Sequence, residues 1–374
     1  MHLTDREREV VDLLRREPLL NASALAERIG TTASAIAVHL SNLTRKGVIL
    51  GRGYVLSETP GAVVVGGSNM DVVARSAAPA TPGTSNPGEA SMRPGGVGRN
   101  IAENLARLGT RTHLVSVVGR DALGETLLAQ TAAAGVRLDH VLRTDAATGT
   151  YTAVLDHDGE LVTAVSAMAA TAELSPEHVG TARDLVAASG LVVVDGNLPL
   201  ATLRHALDMA EAAGVRALVE PVSVPKARLL SPAIEVGRPT YAITPNRDEL
   251  AALTDLPAGT DAEVRTAAEA LHARGVTLVW VRLGEAGSLL SVAGQKPLAI
   301  DAVPAEVADV TGAGDSALAA FCHALVGGAE PADAARYGHA AAALTVESTH
   351  TVRPDLTDAM VRSTLADRTQ EVAP

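Results

Sequence analysis

Residues 309–321 read DVTGAGDSALAAF. Gly312 and Gly314 flank a single alanine directly before Asp315, and Ala317, Leu318 and Phe321 then fall at helical spacing. A turn that only joins two elements has no need of that order. Glycines let a backbone come close to a ligand, and a helix starting near Gly312 offers unpaired N–H groups and the positive end of its dipole to an anion. On that reading Gly312, Ala313 and Gly314 form an anion hole for a phosphoryl group, and Asp315 is the general base toward an attacking hydroxyl. The alternative is a plain glycine-rich turn with Asp315 as helix cap, and spacing alone leaves both open. The chain contains no GxxxxGKS or GxxxxGKT run, which excludes a P-loop NTPase.

Upstream, short apolar runs alternate with helical patterns. VVVGG, THLVSVVG, GLVVVDGN, VRALVEP, YAITPN and LVWVRLG read as strands; GRNIAENLARLG, LGETLLAQTAAAG, ATLRHALDMAEAAG and DAEVRTAAEALHARG read as helices. That order predicts an α/β fold, a mostly parallel sheet with helices on both faces. Ligands of such sheets sit beyond the carboxyl ends of the strands. Two stretches depart from the pattern. PATPGTSNPGEASMRP (79–94) has the composition of a long loop, and TGTYTAVLDHDGELVTAVSA (148–167) alternates about DHDG like an antiparallel hairpin projecting from the sheet edge.

The 374 residues suffice for one large α/β domain and a small module. Hydrophobic residues make up 47%, aromatic ones only 2%, so the core is expected to be aliphatic with few platforms for stacking bases. The net charge is −12, yet residues 1–58 hold eight basic against seven acidic side chains. The acidic body argues against broad contact with nucleic acid or anionic membranes. A single cysteine, Cys322, excludes an internal disulfide framework. The charged start MHLTDREREV does not resemble a signal peptide, and no apolar run approaches a membrane span, so a cytoplasmic protein is expected.

Residues 1–57 form a separate pattern, joined by a linker at 58–61 to a kinase-sized remainder, 62–374. LTDREREVVDLLRRE has Thr4 as N-cap; NASALAERIG is capped by Ser23 or Asn21 and ended by Gly30; TTASAIAVHLSNLTRKG stops at Gly47. VILGRGYVL then alternates about Arg52–Gly53. Three helices and a small wing describe a winged helix-turn-helix whose third helix enters the major groove. Arg45, Lys46 and Arg52 could contact phosphates, with Ser34, His39 and Asn42 on the recognition helix. Such folds also serve as protein-interaction units, which stays open.

DVTGAGD, together with GGVGRNIAENLARLG (95–109) and NRDE (246–249), resembles the ribokinase-like (PfkB) carbohydrate kinases over residues 62–365. The resemblance implies a three-layer α/β/α sandwich with a small β lid, here near 72–94 and 147–168. It implies sugar contacts from Gly95, Gly96 and Asn100, and from Asp71 with its neighbour Asn69. Asn246 and Glu249 would organise Mg²⁺ and phosphate, Glu249 through water. LGEAGSLL matches the segment beneath the nucleotide, so Gly284 and Gly287 would let ATP pass close, beside Asn246, Thr311, Gly312 and Gly314. K⁺ is expected near Asp309. Arg282 stands where many relatives have Thr; it either touches a phosphate or faces solvent. The N-terminal unit resembles the helix-turn-helix fused to some kinases of this family, with DNA as the implied partner.

TSNPG (84–88), TGTY (148–151), DGNLP (195–199), EPVSVPKA (220–227) and TVRPDL (351–356) resemble the pseudouridine kinases within that family. That implies ATP-dependent phosphorylation of a nucleoside 5′-hydroxyl. Ser85 and Asn86 have the donors and acceptors to read a uracil edge. Thr150 and Met168 would line the substrate, and Lys226 is either an anchor for its polar rim or a surface lysine. Ala167 and Ala169 depart from the pattern, because relatives carry an acid beside the methionine; another nucleoside, a ribose-like sugar, or a nucleoside-sensing regulator remain alternatives. A homodimer through the lid would supply two-fold symmetry for DNA half-sites.

Overall fold

Ala62–Val65 is four apolar residues with no polar face, and all four are buried, so the strand needs cover on both sides. The computed structural model describes residues 3–50, 61–238 and 240–371. The chain divides into two compact units, Met1–Pro60 and Gly61–Pro374.

In the larger unit the strands are β1 (Ala62–Val65), β2 (Asn69–Ser76), β3 (Gly88–Gly95), β4 (Thr112–Gly119), β5 (Arg137–Thr144), β6 (Thr150–Leu155) and β7 (Leu161–Ala167). They continue with β8 (Leu191–Asp195), β9 (Arg216–Glu220), β10 (Thr240–Ile243), β11 (Val276–Arg282), β12 (Ser288–Val292) and β13 (Leu298–Ile300). The main sheet has the order β13-β12-β11-β10-β9-β8-β1-β4-β5. It is parallel from β5 to β11, with β12 and β13 antiparallel at one edge. Alternation in β1 sends Val63 and Val65 to one face and Ala62 and Val64 to the other. The first face packs on helices Leu200–Ala212, Arg247–Thr254 and Asp261–Ala273; the second packs on Val97–Arg107, Ala313–Val326 and Pro331–Val346.

A second sheet, β3-β2-β6-β7, joins the two segments expected to form a lid. β6 and β7 are the antiparallel hairpin expected from alternation about DHDG. The loop expected over 79–94 is a loop only in its first half. β3 pairs antiparallel with β2 from Asn69–Gly95 through Ser76–Gly88. Its exposed edge position tolerates Glu89, Ser91 and Arg93, so it carries no hydrophobic signature. β5 likewise went unanticipated, being an edge strand with Arg137, Asp139 and Arg143.

In the N-terminal unit, helices Asp5–Arg16, Ala22–Ile29 and Ala33–Arg45 enclose Val10, Leu14, Leu25, Ile36 and Leu43. Thr4 forms a capping box with Glu7, and Asn21 rather than Ser23 caps the second helix, accepting from Ala24 N at 2.9 Å. Lys46 is not free for a phosphate. It pairs with the buried Glu7 at 2.7 Å, and that hydrogen bond holds the Glu7 carboxyl down at about 2. Arg45 donates to Asn42 Oδ1 at 2.6 Å. The hairpin expected at Arg52–Gly53 lies outside the described residues. No helix among the described residues is long and apolar enough to cross a membrane.

The lone Trp280 anchors the second face: its ring stacks on Phe321 with centroids 4.8 Å apart, and Nε1 donates to Ser288 Oγ at 2.8 Å. Gly338 leaves room for it, since a Cβ there would fall 2.6 Å from the indole and 2.8 Å from Ala317 O. Gly338→Val is expected to destabilise the fold by about 1–3 kcal/mol through overpacking. The check is a urea titration followed by Trp280 fluorescence, and an unchanged midpoint would contradict this packing.

Candidate active site

β1 and β8 are neighbours, although the chain runs from β1 to β4 and β5 before it returns to β8. A crevice opens at the carboxyl ends where the strand order reverses, and it is the natural ligand position in an open α/β sheet. Asp195, the last residue of β8, is fully buried there. Its Oδ2 accepts from Gly67 N at 2.9 Å and Gly98 N at 2.8 Å, and its Oδ1 from Asn197 N at 3.0 Å. One carboxylate thus ties together the loop after β1, the start of helix Val97–Arg107 and the loop after β8. Burial pushes its ionisation up, against the hydrogen bonds that favour the charged form.

The loops so held carry a set of polar side chains. Asn69 Nδ2 donates to Asp71 Oδ1 at 2.6 Å. Burial raises the Asp71 ionisation, while Asn69 and the charge of Arg99 oppose the rise. Gly95 lies directly against this carboxylate, and a side chain there would collide with it. Gly96, at φ 95°, caps helix Val97–Arg107 in a conformation that favours glycine, with Gly67 O 2.6 Å from where a Cβ would stand. From that helix Asn100 donates through Nδ2 to Asp315 Oδ2 at 2.8 Å.

Asp315 stands in the first turn of helix Ala313–Val326, which begins after Gly312 at φ 82°. A side chain at 312 would run into Thr351 O. Burial pushes the Asp315 carboxyl up to about 7; the charges of Glu220 and Asp195 add to the rise, and Asn100 and Arg282 oppose it. A carboxylate poised near neutrality at a helix N-terminus can take a proton from a hydroxyl beside an anion.

A cavity of 840 Å³ connects these groups. Asn69, Asp71, Gly96, Asn100, Thr311, Gly312 and Asp315 line it, and it extends past Met168 and Lys226 to Asn197, Leu198 and Val222. Lys226 makes no ion pair among the described residues. Several expected substrate residues lie elsewhere. Ser85 and Asn86 do not line the cavity; they are exposed, and the Asn86 amide closes its own loop, accepting from Thr81 N at 2.8 Å and donating to Thr81 O at 3.0 Å. Thr150 is also outside the lining. Along β6 successive side chains alternate, so Tyr151 faces the cavity instead, together with Ser166 of β7.

Among the residues expected to serve the nucleotide, Asn246 and Glu249 are bound to each other. Asn246 Oδ1 accepts from Glu249 N, and Glu249 Oε2 accepts from Asn246 N, both at 2.9 Å, a capping box at the start of helix Arg247–Thr254. Burial raises the Glu249 ionisation and neighbouring Glu220 adds to it. Gly284 is open to solvent at φ 63°. Gly287, at φ 82°, admits the backbone of Ile300, which a side chain would strike, so its freedom serves strand packing. Asp309 Oδ1 accepts from Thr311 N at 2.8 Å. Arg282 does not face solvent. Its Nη2 donates to Glu220 Oε1 at 2.7 Å and lies 3.7 Å from Glu249 Oε2.

Asp195, Glu220, Tyr151 and Val222 lie in the quoted segments DGNLP, EPVSVPKA and TGTY, but the sequence reading gives none of them a role of its own. The first two had a signal: GLVVVD and VRALVE are apolar strands that each end in an acid, an unusual place for an unpaired charge in a buried sheet. Val222 sits at φ 73°, a left-handed backbone that a β-branched residue rarely adopts. Its N–H donates to Glu220 Oε1 at 3.3 Å.

Because folding raises the Asp315 ionisation, the native state binds this proton more tightly than the unfolded chain. Its contribution to stability is therefore present at low pH and lost as pH rises toward and through about 7. Asp315→Asn, uncharged throughout, should gain melting temperature relative to the parent at pH 8 and lose that advantage at pH 5. Equal differences at both pH values would mean that the carboxyl is not raised.

Residues 60–358 match the family model for the pfkB family carbohydrate kinases, and residues 3–49 match a winged helix-turn-helix DNA-binding model. The chain is 33% identical to an uncharacterized sugar kinase of Escherichia coli K12, YeiI, over 95% of this chain and 97% of that protein. It is 31% identical to the pseudouridine kinase of the same organism, over 80% of this chain and 95% of that one. Among solved structures, the ribokinase of Arabidopsis thaliana complexed with ribose and ATP superposes with a TM-score of 0.73 at 28% identity, covering 82% of this chain and 99% of that one. The chain belongs to the pfkB family of carbohydrate kinases, in the ribokinase-like fold, with a winged helix-turn-helix before it.

Proposed function

We propose that this kinase transfers the γ-phosphoryl group of ATP to the 5′-hydroxyl of a nucleoside, pseudouridine above others. The observation that carries the reading is the Asp315 carboxylate, pushed up to about 7 and held by Asn100 at the wall of a cavity that also holds Asn69 and Asp71. Asp315 takes the hydroxyl proton as the oxygen attacks phosphorus; the bond to the β-phosphate oxygen breaks and ADP leaves. Helix Ala313–Val326, with Gly312 and Gly314 at its start, receives the charge on the phosphoryl oxygens. Asn69 and Asp71 hold the sugar hydroxyls. The cavity continues past them to Tyr151, Ser166, Met168, Asn197 and Lys226, an apolar and polar mixture with room for a base.

Glu249, whose Oε2 closes the capping box with Asn246, offers its other carboxylate oxygen as a hard donor that fits Mg²⁺, which would neutralise phosphate charge when bound. Asp309, with one carboxylate oxygen engaged by Thr311, would serve K⁺ with the other. The lid leaves Met92, Leu161 and Val165 exposed, the surface on which a second copy would pack.

The test is ADP release with Mg²⁺, K⁺ and ATP across pseudouridine, uridine, inosine, ribose and fructose. Selective turnover of pseudouridine is the expected result. Turnover of ribose or fructose alone would move the substrate toward a sugar, the reading favoured by the likeness to YeiI. Activity should fall as pH drops through about 7, where Asp315 gains its proton. Asp315→Asn should lower turnover by about 10²–10⁴-fold with the fold intact; near-normal turnover would remove Asp315 from this role.

The match of residues 3–49 to a DNA-binding helix-turn-helix favours a second, compatible role as a DNA-reading unit. A gel shift with genomic fragments at low salt, with and without nucleoside, checks it. Absence of any shift would leave the unit as a protein-interaction module.

A further inference from the structure

The carboxyl ends of β9, β10 and β11 converge beside the start of helix Ala313–Val326 and bring four charged groups together: Glu220, Glu249, Arg282 and Asp315. The pairing is lopsided. Arg282 meets both glutamates through a single nitrogen, Nη2. Its Nε is buried and has no hydrogen-bond partner. Its Nη1 lies against Gly314, so close that a Cβ there would be 2.5 Å away. A guanidinium has five N–H donors, and a buried donor left without an acceptor carries a desolvation penalty. If Arg282 served only to neutralise the two glutamates, its fork would be turned toward them. Instead the glutamates hold it by one corner, and Nη1 faces the first turn of the helix where the phosphoryl group is placed.

We infer that Arg282 is a catalytic residue for the phosphoryl transfer: held by Glu220 and Glu249, it donates from its unengaged nitrogens to the γ-phosphate oxygens as the transfer proceeds. A phosphate arriving at Gly312–Asp315 supplies the acceptors that the resting site lacks, in a charge-assisted geometry suited to guanidinium. Gly314 then has a second reason to lack a side chain, since it leaves room for Nη1 as well as for the phosphate. Thr244 completes the mounting by donating to Glu220 Oε2 at 2.7 Å, so the glutamate cannot turn away with the arginine. Arg282 undergoes no covalent change, and Asp315 still accepts the proton.

This rests on the reading of Gly312–Asp315 as the phosphoryl site, and binding measurements separate the two. Arg282→Met and Arg282→Lys would be titrated calorimetrically with β,γ-imido-ATP and with ADP in Mg²⁺ buffer, alongside turnover and thermal melting. For Arg282→Met, affinity for the triphosphate analogue should fall at least about tenfold while that for ADP changes little, since only the former has the γ-phosphate. Turnover should drop by about 10²–10³-fold with the KM for the phosphate acceptor unchanged, and lysine should restore part of both. Equal losses for the two nucleotides, or no change for either, would overturn the inference and leave Arg282 as a neutraliser of the glutamates. If Arg282→Met does not fold, Arg282→Lys decides: its fork is gone while its charge remains, so unchanged triphosphate affinity and turnover in it would also overturn the inference. A parent protein that binds neither nucleotide would bring down the phosphoryl-site reading as well.

Discussion

Asp195 lies fully buried at the end of β8, where the strand order of the sheet reverses, and its carboxylate accepts backbone N–H groups from Gly67, Gly98 and Asn197. A buried carboxylate without partners would be expelled or protonated. Three chain segments that are distant in sequence therefore have to present their N–H groups to it, and so become fixed relative to one another. The cavity-lining asparagines depend on this arrangement, because Asn69 follows Gly67 by two residues and Asn100 follows Gly98 by two. The glycines are part of the same constraint: a Cβ at Gly98 would come within 2.7 Å of Gly66 Cα.

The second organising feature is a balance of charge. Asp315, Glu220 and Glu249 share one end of the sheet with Arg282, which pairs with both glutamates. Desolvation is the main cause that raises the Asp315 and Glu249 carboxyls, and repulsion from Glu220 adds to it. Asp315 and Glu249 both rise, while Asn100 and Arg282 restrain Asp315 from rising further. The Asp315 carboxyl is thereby brought near neutrality.

The motifs and the geometry agree unevenly, for identifiable reasons. The Gly312–Asp315 segment was legible because glycine conformation, helix start and carboxylate follow one another along the chain. Asn246 and Glu249 were recognisable by spacing, yet that spacing is also a helix capping box, and the structure uses it as one. Tyr151 was missed in favour of Thr150 because facing is decided by register against β2 and β7. Ser85 and Asn86 have suitable chemistry for a base, but the Asn86 amide is engaged within its own loop. β3 was read as loop because an exposed edge strand has no apolar alternation to betray it.

Local chemistry alone, read along the chain, determined the alternation of buried strands and amphipathic helices, the three capped helices at the N-terminus, the glycine-bared helix start at 312 and the acid beside it. These are short-range properties, set by period, cap and backbone freedom. What the tertiary structure decided is which distant groups meet: Asp195 with Gly67 and Gly98, Asn100 with Asp315, and Glu220 with Arg282, across separations of up to 215 residues. Such meetings follow from strand order and from the strong tendency of buried polar groups to find partners, and neither is written in any single stretch of the sequence.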